Sequence, residues 1–143
     1  MPFSSGWTKL GPAVLELLLE EDPVPWQRTR GTNGQRFNSV KLQAWEGVLR
    51  ERAQLFLDLW DLDGFPTKEA LWVETEIWFS GPARFNRAGD ADNYEKAIFD
   101  ALQGVVWVND KTSNIPVHRF TAAWHDDGSP TQVSIRVWRC LLA

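Results

Sequence analysis

The 143-residue sequence holds one cysteine and two histidines, and both scarcities narrow what it can be. Cys140 alone cannot form an intramolecular disulfide, so no cross-linked framework substitutes for a core. With only His118 and His125 beside it, a Cys/His zinc centre is all but excluded. Long apolar runs are missing too. Ala13 to Leu19 is interrupted by Glu16 and is far shorter than the ~20 residues of a spanning helix. Met1 to Thr8 lacks the charged-then-apolar layout of a signal peptide, so a cytoplasmic chain with no membrane partner is expected, in keeping with a lone free thiol. Positive surplus is also absent. Fifteen Lys and Arg against 19 Asp and Glu give −4, which at first sight disfavours a nucleic-acid partner.

What is present suits one globular domain with a real core. Hydrophobic residues at 43% and charged residues at 24% are wrong for a disordered chain. The apolar run of residues 13–20 reads as a buried strand, with a short helix as the alternative because Leu and Glu favour helices. Residues 22–37 are rich in Pro, Gly and Arg and cannot be regular helix. From Asn38 to about Asp61, Leu42, Trp45, Leu49, Ala53, Phe56 and Leu57 recur at helical spacing and make one apolar stripe. Residues 71–79 alternate as a strand does, with Trp72, Glu74, Glu76 and Trp78 on the face opposite Leu71, Val73, Thr75, Ile77 and Phe79. Those two tryptophans suit packing under a helix or across a dimer seam.

A loop over 80–89 leads to a second helix, Asn93 to Gln103, with Asp92 as its expected N-cap, Glu95 at the capping-box position, Gly104 as its stop and Tyr94, Ala97, Ile98, Ala101 and Leu102 as its buried stripe. Two closing strands, about 117–124 and 131–139, are joined by a sequence that reads as a hairpin turn. The expectation is a single-domain α+β fold: a mixed sheet of about four strands, two main helices, residues 1–12 as an N-terminal extension and 13–143 as the domain.

Residues 89–110 concentrate the chemistry. Asp90 and Asp92, two apart on an extended lead-in, would point the same way, ~6.6 Å apart. Asp92, Lys96 and Asp100 then follow at four-residue intervals on the helix face opposite the apolar stripe. Eleven helical residues travel ~16 Å, and the six from Gly104 to Asn109, if extended, return ~20 Å, which would bring Asp110 near the first two acids. Three converging carboxylates repel one another unless a cation sits between them. An all-oxygen donor set favours Mg²⁺ or Mn²⁺, and such a site suits phosphoryl chemistry, with Lys96 placed to orient water or offset developing charge. The plainer reading makes Asp92 only a helix cap, Lys96 and Asp100 a surface ion pair and Asp110 a turn residue. A calcium loop fits worse: counted from Asp90, the sixth position is Glu95 instead of Gly and the twelfth Ala101 instead of Glu.

The same residues carry a resemblance. Asp90, Asp92-Asn93, Lys96, Asp100-Ala101-Leu102, Gly104, Trp107 and Asn109-Asp110 follow the pattern of the RusA family of Holliday junction resolvases. Upstream, Pro23-Val24-Pro25 with Arg28 and Arg30 is similar to that family's first strand and basic loop, so the resemblance covers about residues 13–139. It implies a homodimeric, Mg²⁺-dependent endonuclease (Mn²⁺ being possible) acting on four-way DNA junctions, with Asp90, Asp92 and Asp110 as metal-binding catalytic acids and Lys96 as the catalytic lysine. One departure is Asn109, where the family pattern has the first acid of an Asp-Asp pair.

Charge by segment revises the first impression. Residues 23–52 carry Arg28, Arg30, Arg36, Lys41, Arg50 and Arg52 against Glu46 and Glu51, a net +4, whereas residues 53–80 sum to −5. Arg28, Arg30, Arg36 and Lys41 are candidates for phosphate contact, with Arg84 and Arg87 ahead of the acids, and Trp26 for stacking on an unpaired base. Solvating charge on a loop is the plainer account of the arginines. His118 and His125 read as structural or surface residues. Two rivals to a nuclease stay open: a junction-binding protein of the same fold that has lost catalysis, with Asn109 as its mark, and a protein-interaction domain in which the basic loop is incidental.

Overall fold

The computed structural model describes residues 6–26 and 39–143. In chain order they form β1 (Trp7–Leu19), α1 (Val40–Leu59), β2 (Leu71–Phe79), a short α2 (Pro82–Asn86), α3 (Ala91–Leu102), β3 (Val117–Trp124) and β4 (Gln132–Leu142). One mixed four-stranded sheet with two main helices is the expected α+β layout.

Helix α1 starts at Ser39, whose backbone is extended and whose hydroxyl accepts the Leu42 N–H at 3.1 Å, satisfying one of the first turn's orphan donors. Its periodic residues Leu42, Trp45, Leu49, Ala53 and Leu57 are buried, while Phe56 is half-buried at the margin. They join Leu15, Leu17 and Leu19 of β1, Val73, Ile77 and Phe79 of β2 and Val133, Ile135 and Val137 of β4 in one core. Each such side chain contributes ~1.5–3 kcal/mol when fully buried.

The sheet order is β1-β4-β2-β3, with β2 and β3 parallel and β4 antiparallel to both β1 and β2. The hairpin expected between the last two strands is therefore not one: β2 lies between them. A parallel β2–β3 pair needs a crossover, which α2 and α3 supply. The chain then rounds the end of β2, where His125 donates its N–H to the Phe79 carbonyl (3.1 Å) and Thr131 Oγ1 accepts from Ser80 N–H (3.1 Å). Turn-forming residues mark a reversal; they do not say which strand is waiting on the other side.

Strand β1 is longer than the apolar run implied. Leu15–Leu19 pairs with β4, and so does Trp7–Leu10, so part of the stretch expected as an N-terminal extension belongs to the sheet. Between Leu10 and Leu15 five steps along β1 oppose two along β4, from Arg139 to Val137. That bulge is where Gly11, at φ +66, and Pro12, which has no N–H to give, can be accommodated.

Lys9, Trp72, Glu74, Arg119, Arg136 and Trp138 lie on the sheet face away from that core. Lys9 Nζ is 2.6 Å from Glu74 Oε2 and 3.6 Å from the centre of the Trp138 ring. Arg119 lies 5.2 Å from the Trp72 ring. Burial alone would raise the Glu74 carboxyl pKa, but Lys9, the Trp72 N–H and Arg119 together hold it below its ordinary value. Leu18 and Trp78 are exposed. No helix among the described residues is long and apolar enough to cross a membrane.

Candidate active site at the start of the second long helix

Helix α3 begins two residues earlier than expected, and this alters the relation between its acids. Asp90 is the N-cap: its backbone is extended at φ −65 and ψ 141, while its carbonyl already accepts from Asn93 N–H (3.0 Å) and Tyr94 N–H (3.3 Å). Asp92 therefore sits inside the first turn and is not the cap. The two acids thus do not share one extended segment. Instead both carboxylates stand at the positive end of the helix dipole, which stabilises negative charge there. Both are exposed, and Asp90 makes no side-chain hydrogen bond to its own helix. Among the described residues, Asp90, Asp92 and Asp110 take part in no ion pair. Glu95 is displaced from the capping-box role and lies 2.9 Å from His118 Nδ1.

The underside of this turn is rigid. Tyr94, Ala97, Ile98, Ala101 and Leu102 are buried, the stripe expected from their spacing. The Tyr94 ring stacks on Phe120 (6.4 Å, 14°) and meets Phe79 edge-on (6.1 Å). Its hydroxyl accepts the Gly89 N–H at 3.3 Å, which fixes the residue just before Asp90. On the outer face Lys96 pairs with Asp100 at 3.4 Å, and its ammonium lies 5.1 Å from the centre of the Trp26 ring.

The other end of α3 is fastened differently. Gly104 turns at φ +86 and donates its N–H to the Trp107 carbonyl (2.8 Å). Arg50 of α1 reaches the carbonyls of Ala101 and Gln103, both at 3.3 Å, where a cation offsets the negative end of the dipole. Trp107 is fully buried; its ring meets Phe99 edge-on (5.5 Å, 88°) and its Nε1–H donates to the Phe99 carbonyl (3.0 Å). The return from the helix is thus a tight turn with single bridges from Trp107 to Thr67 and Gln103, not the extended run that was expected. Asn114, buried, then holds the next stretch. Its Oδ1 accepts from Val108 N–H (3.1 Å) and Asn109 N–H (3.2 Å), and its Nδ2 donates to the Glu69 carbonyl (2.7 Å). The Asn109 side chain accepts from Lys111 N–H (3.0 Å), a local turn that Asn and Asp make equally well.

Among the described residues, no three His, Cys, Asp or Glu side chains stand in one group able to hold a metal ion. Asp90 and Asp92 share a helix start; Asp110 is not gathered with them into a closed cage. Repulsion among three carboxylates opposes such a cage without a cation. As donors the three nonetheless fit a hard divalent ion, being all-oxygen and in no ion pair among the described residues.

The basic candidates divide. Arg28, Arg30 and Arg36 lie outside the described residues. Lys41 is exposed in the first turn of α1, and Arg87 is exposed at the end of α2. Arg84 is engaged, 3.3 Å from Asp22 and 4.8 Å from the Phe79 ring centre, so it ties α2 to the segment after β1. Trp26 is half-buried against the core. Sequence reasoning missed Asn114, Arg50 as a cap for another helix, and Glu46. Burial raises the Glu46 pKa, nearby Asp100 raises it further, and Arg50 acts against both. Nothing in the spacing of a single Asn, Arg or Glu signals a partner dozens of residues away.

The α+β domain thus presents two exposed acids at a helix start, in no ion pair among the described residues, with a lysine one turn on. The family model of endodeoxyribonuclease RusA matches residues 21–138, and the chain belongs to that family. Its class is therefore that of a DNA endonuclease. No curated protein matches the sequence closely enough to count as a relative.

Proposed function

We propose that this protein is a metal-dependent endonuclease that resolves four-way DNA junctions by phosphodiester hydrolysis in recombination and repair. The observation that carries the reading is the start of α3, where Asp90 and Asp92 stand exposed and unpaired among the described residues, one turn from Lys96, in a chain of the RusA family. Asp90, Asp92 and Asp110 would hold the ion, Mg²⁺ by preference and Mn²⁺ as a substitute. When bound, such an ion lowers the pKa of an attacking water and offsets charge on the phosphate.

The chain's own residues do the rest. The Tyr94 hydroxyl and the packed stripe beneath it keep the two acids on a fixed turn. Lys96 holds positive charge beside the phosphate as negative charge develops. Arg28, Arg30, Arg36, Lys41 and Arg87 supply phosphate contacts that track the branched backbone.

A junction offers two equivalent strands, so a twofold dimer with one site per subunit is the natural design. The sheet face carrying Glu74, Arg119, Arg136, Leu18 and Trp78 is the surface we assign to the second copy. Leu18 and Trp78 are exposed on that face, so a second copy would cover apolar surface there. The test of the activity is Asp92→Asn. It is expected to bind a synthetic junction with wild-type affinity and to nick it at least ~100-fold more slowly; wild-type cleavage would remove the carboxylate mechanism. Nicking by the wild-type protein also decides against the catalytically silent reading of Asn109.

A further inference from the structure

Three contacts fasten the segment before the basic stretch onto the start of α3. The Trp26 backbone N–H donates to the Asn93 carbonyl at 2.9 Å. One residue earlier, the Pro25 ring borders Gly89, where a Cβ would sit in ordinary van der Waals contact with its Cγ at 3.4 Å. The Trp26 ring itself lies 5.1 Å from Lys96 Nζ. The chain is therefore held immediately before Asp90 and three residues after it, and the ring between those anchors is half-buried against the core.

We propose that Trp26 is a positioning residue for Lys96, its indole fixing the direction of the ammonium at the acid-bearing turn. A lysine side chain has four rotatable carbons and keeps little direction of its own. Its other partner, Asp100, lies one turn further from Asp92, and the pair is about 45% and 34% exposed, so that ion pair is weak and draws the ammonium along the helix, away from the acids. An aromatic ring fastened through its own backbone supplies a second, fixed attraction. This assigns Trp26 a role other than stacking on a base, since the ring is already half-buried and engaged with Lys96. The inference rests on the reading of Lys96 as a catalytic residue.

The test uses the full chain and a labelled four-way junction, with kcat and KM measured separately, and nuclear magnetic resonance of the Lys96 side chain. Trp26→Ala is expected to lower kcat about two- to five-fold, the factor of one exposed cation–π contact, with KM unchanged. The ring-current shift of the Lys96 ε-methylene protons is expected to vanish in Trp26→Ala and to persist in Trp26→Phe, which also restores part of kcat. Trp26→Leu keeps an apolar contact without a ring face, so it separates loss of the ring from loss of packing; it is expected to behave as Ala does. A rise in KM at constant kcat would mean base stacking and would overturn the proposal, as would an unchanged Lys96 shift in Trp26→Ala. Lys96→Ala isolates the underlying reading. If it nicks at the wild-type rate, Lys96 is not catalytic, whereas a dead Lys96→Ala beside an unaffected Trp26→Ala removes the positioning role alone.

Discussion

The two ends of α3 are built on opposite terms. At its C-terminal end polar groups are taken up by the fold: Arg50 caps two carbonyls, Trp107 is buried against Phe99, and Asn114 gathers the backbone that follows. At its N-terminal end the acids are exposed and without ion-pair partners among the described residues, over an underside fixed by Tyr94. One end of the helix is tied into the fold through its polar groups, while Asp90 and Asp92 at the other stay open to solvent. On the proposed function, that contrast is what separates an active-site turn from a merely charged one. An N-cap needs one acid, and a surface acid is usually content near a lysine or arginine.

The contrast can be broken from either side. Trp107→Ala is expected to cost ~3–5 kcal/mol of stability, read by denaturant unfolding, because a fully buried indole and its hydrogen bond go together. Asn114→Ala comes next, at ~1–3 kcal/mol, since the Val108 and Asn109 N–H groups lose their acceptor. It is also expected to depress nicking beyond what the unfolded fraction explains, because Asp110 follows directly. Asp92→Asn, by comparison, is expected to change stability by less than ~0.5 kcal/mol, as an exposed position away from the packed face should. An Asp92 substitution as costly as Asn114→Ala would erase the distinction between the ends.

A small, pH-dependent effect belongs to Glu46, behind Asp100. Burial first, then Asp100, raise its pKa, so the folded protein releases that proton at higher pH than the unfolded chain. The folded state is therefore penalised at neutral pH, and the penalty fades as pH falls through the raised value toward the unfolded pKa of about 4.5. Glu46→Gln is expected to stabilise the folded protein at pH 7 by less than ~1 kcal/mol once solvent screening is counted, read as a slight rise in melting temperature. The gain should disappear near pH 4.5; a gain constant with pH would place its origin in packing.

The helical stripes were legible because period and burial coincide: all five buried residues of α3 and all five of α1 were marked by spacing. Strand existence was legible as well, but strand order was not. The sequence near Asp126 announces a reversal, and only the packing of α2 and α3 over the sheet decides that β3 joins β2 in parallel and leaves β4 on the other side. At the candidate site, the acids and Lys96 stood out from their pattern as candidates, whereas the cap position was misjudged by two residues. Asp and Asp compete for that role on nearly equal terms, and the surrounding packing settles it. Asn114, Arg50 and Glu46 stayed invisible because their roles depend on partners brought together only by the fold.

The most direct measurement is nicking of a labelled four-way junction by the wild-type protein, in Mg²⁺, Mn²⁺ and a chelator, beside linear duplex of the same sequence. The account predicts cleavage of the junction in either metal, none in the chelator and little of the duplex. Junction binding without cleavage in any metal would contradict it, and the exposed acids at the start of α3 would need another explanation.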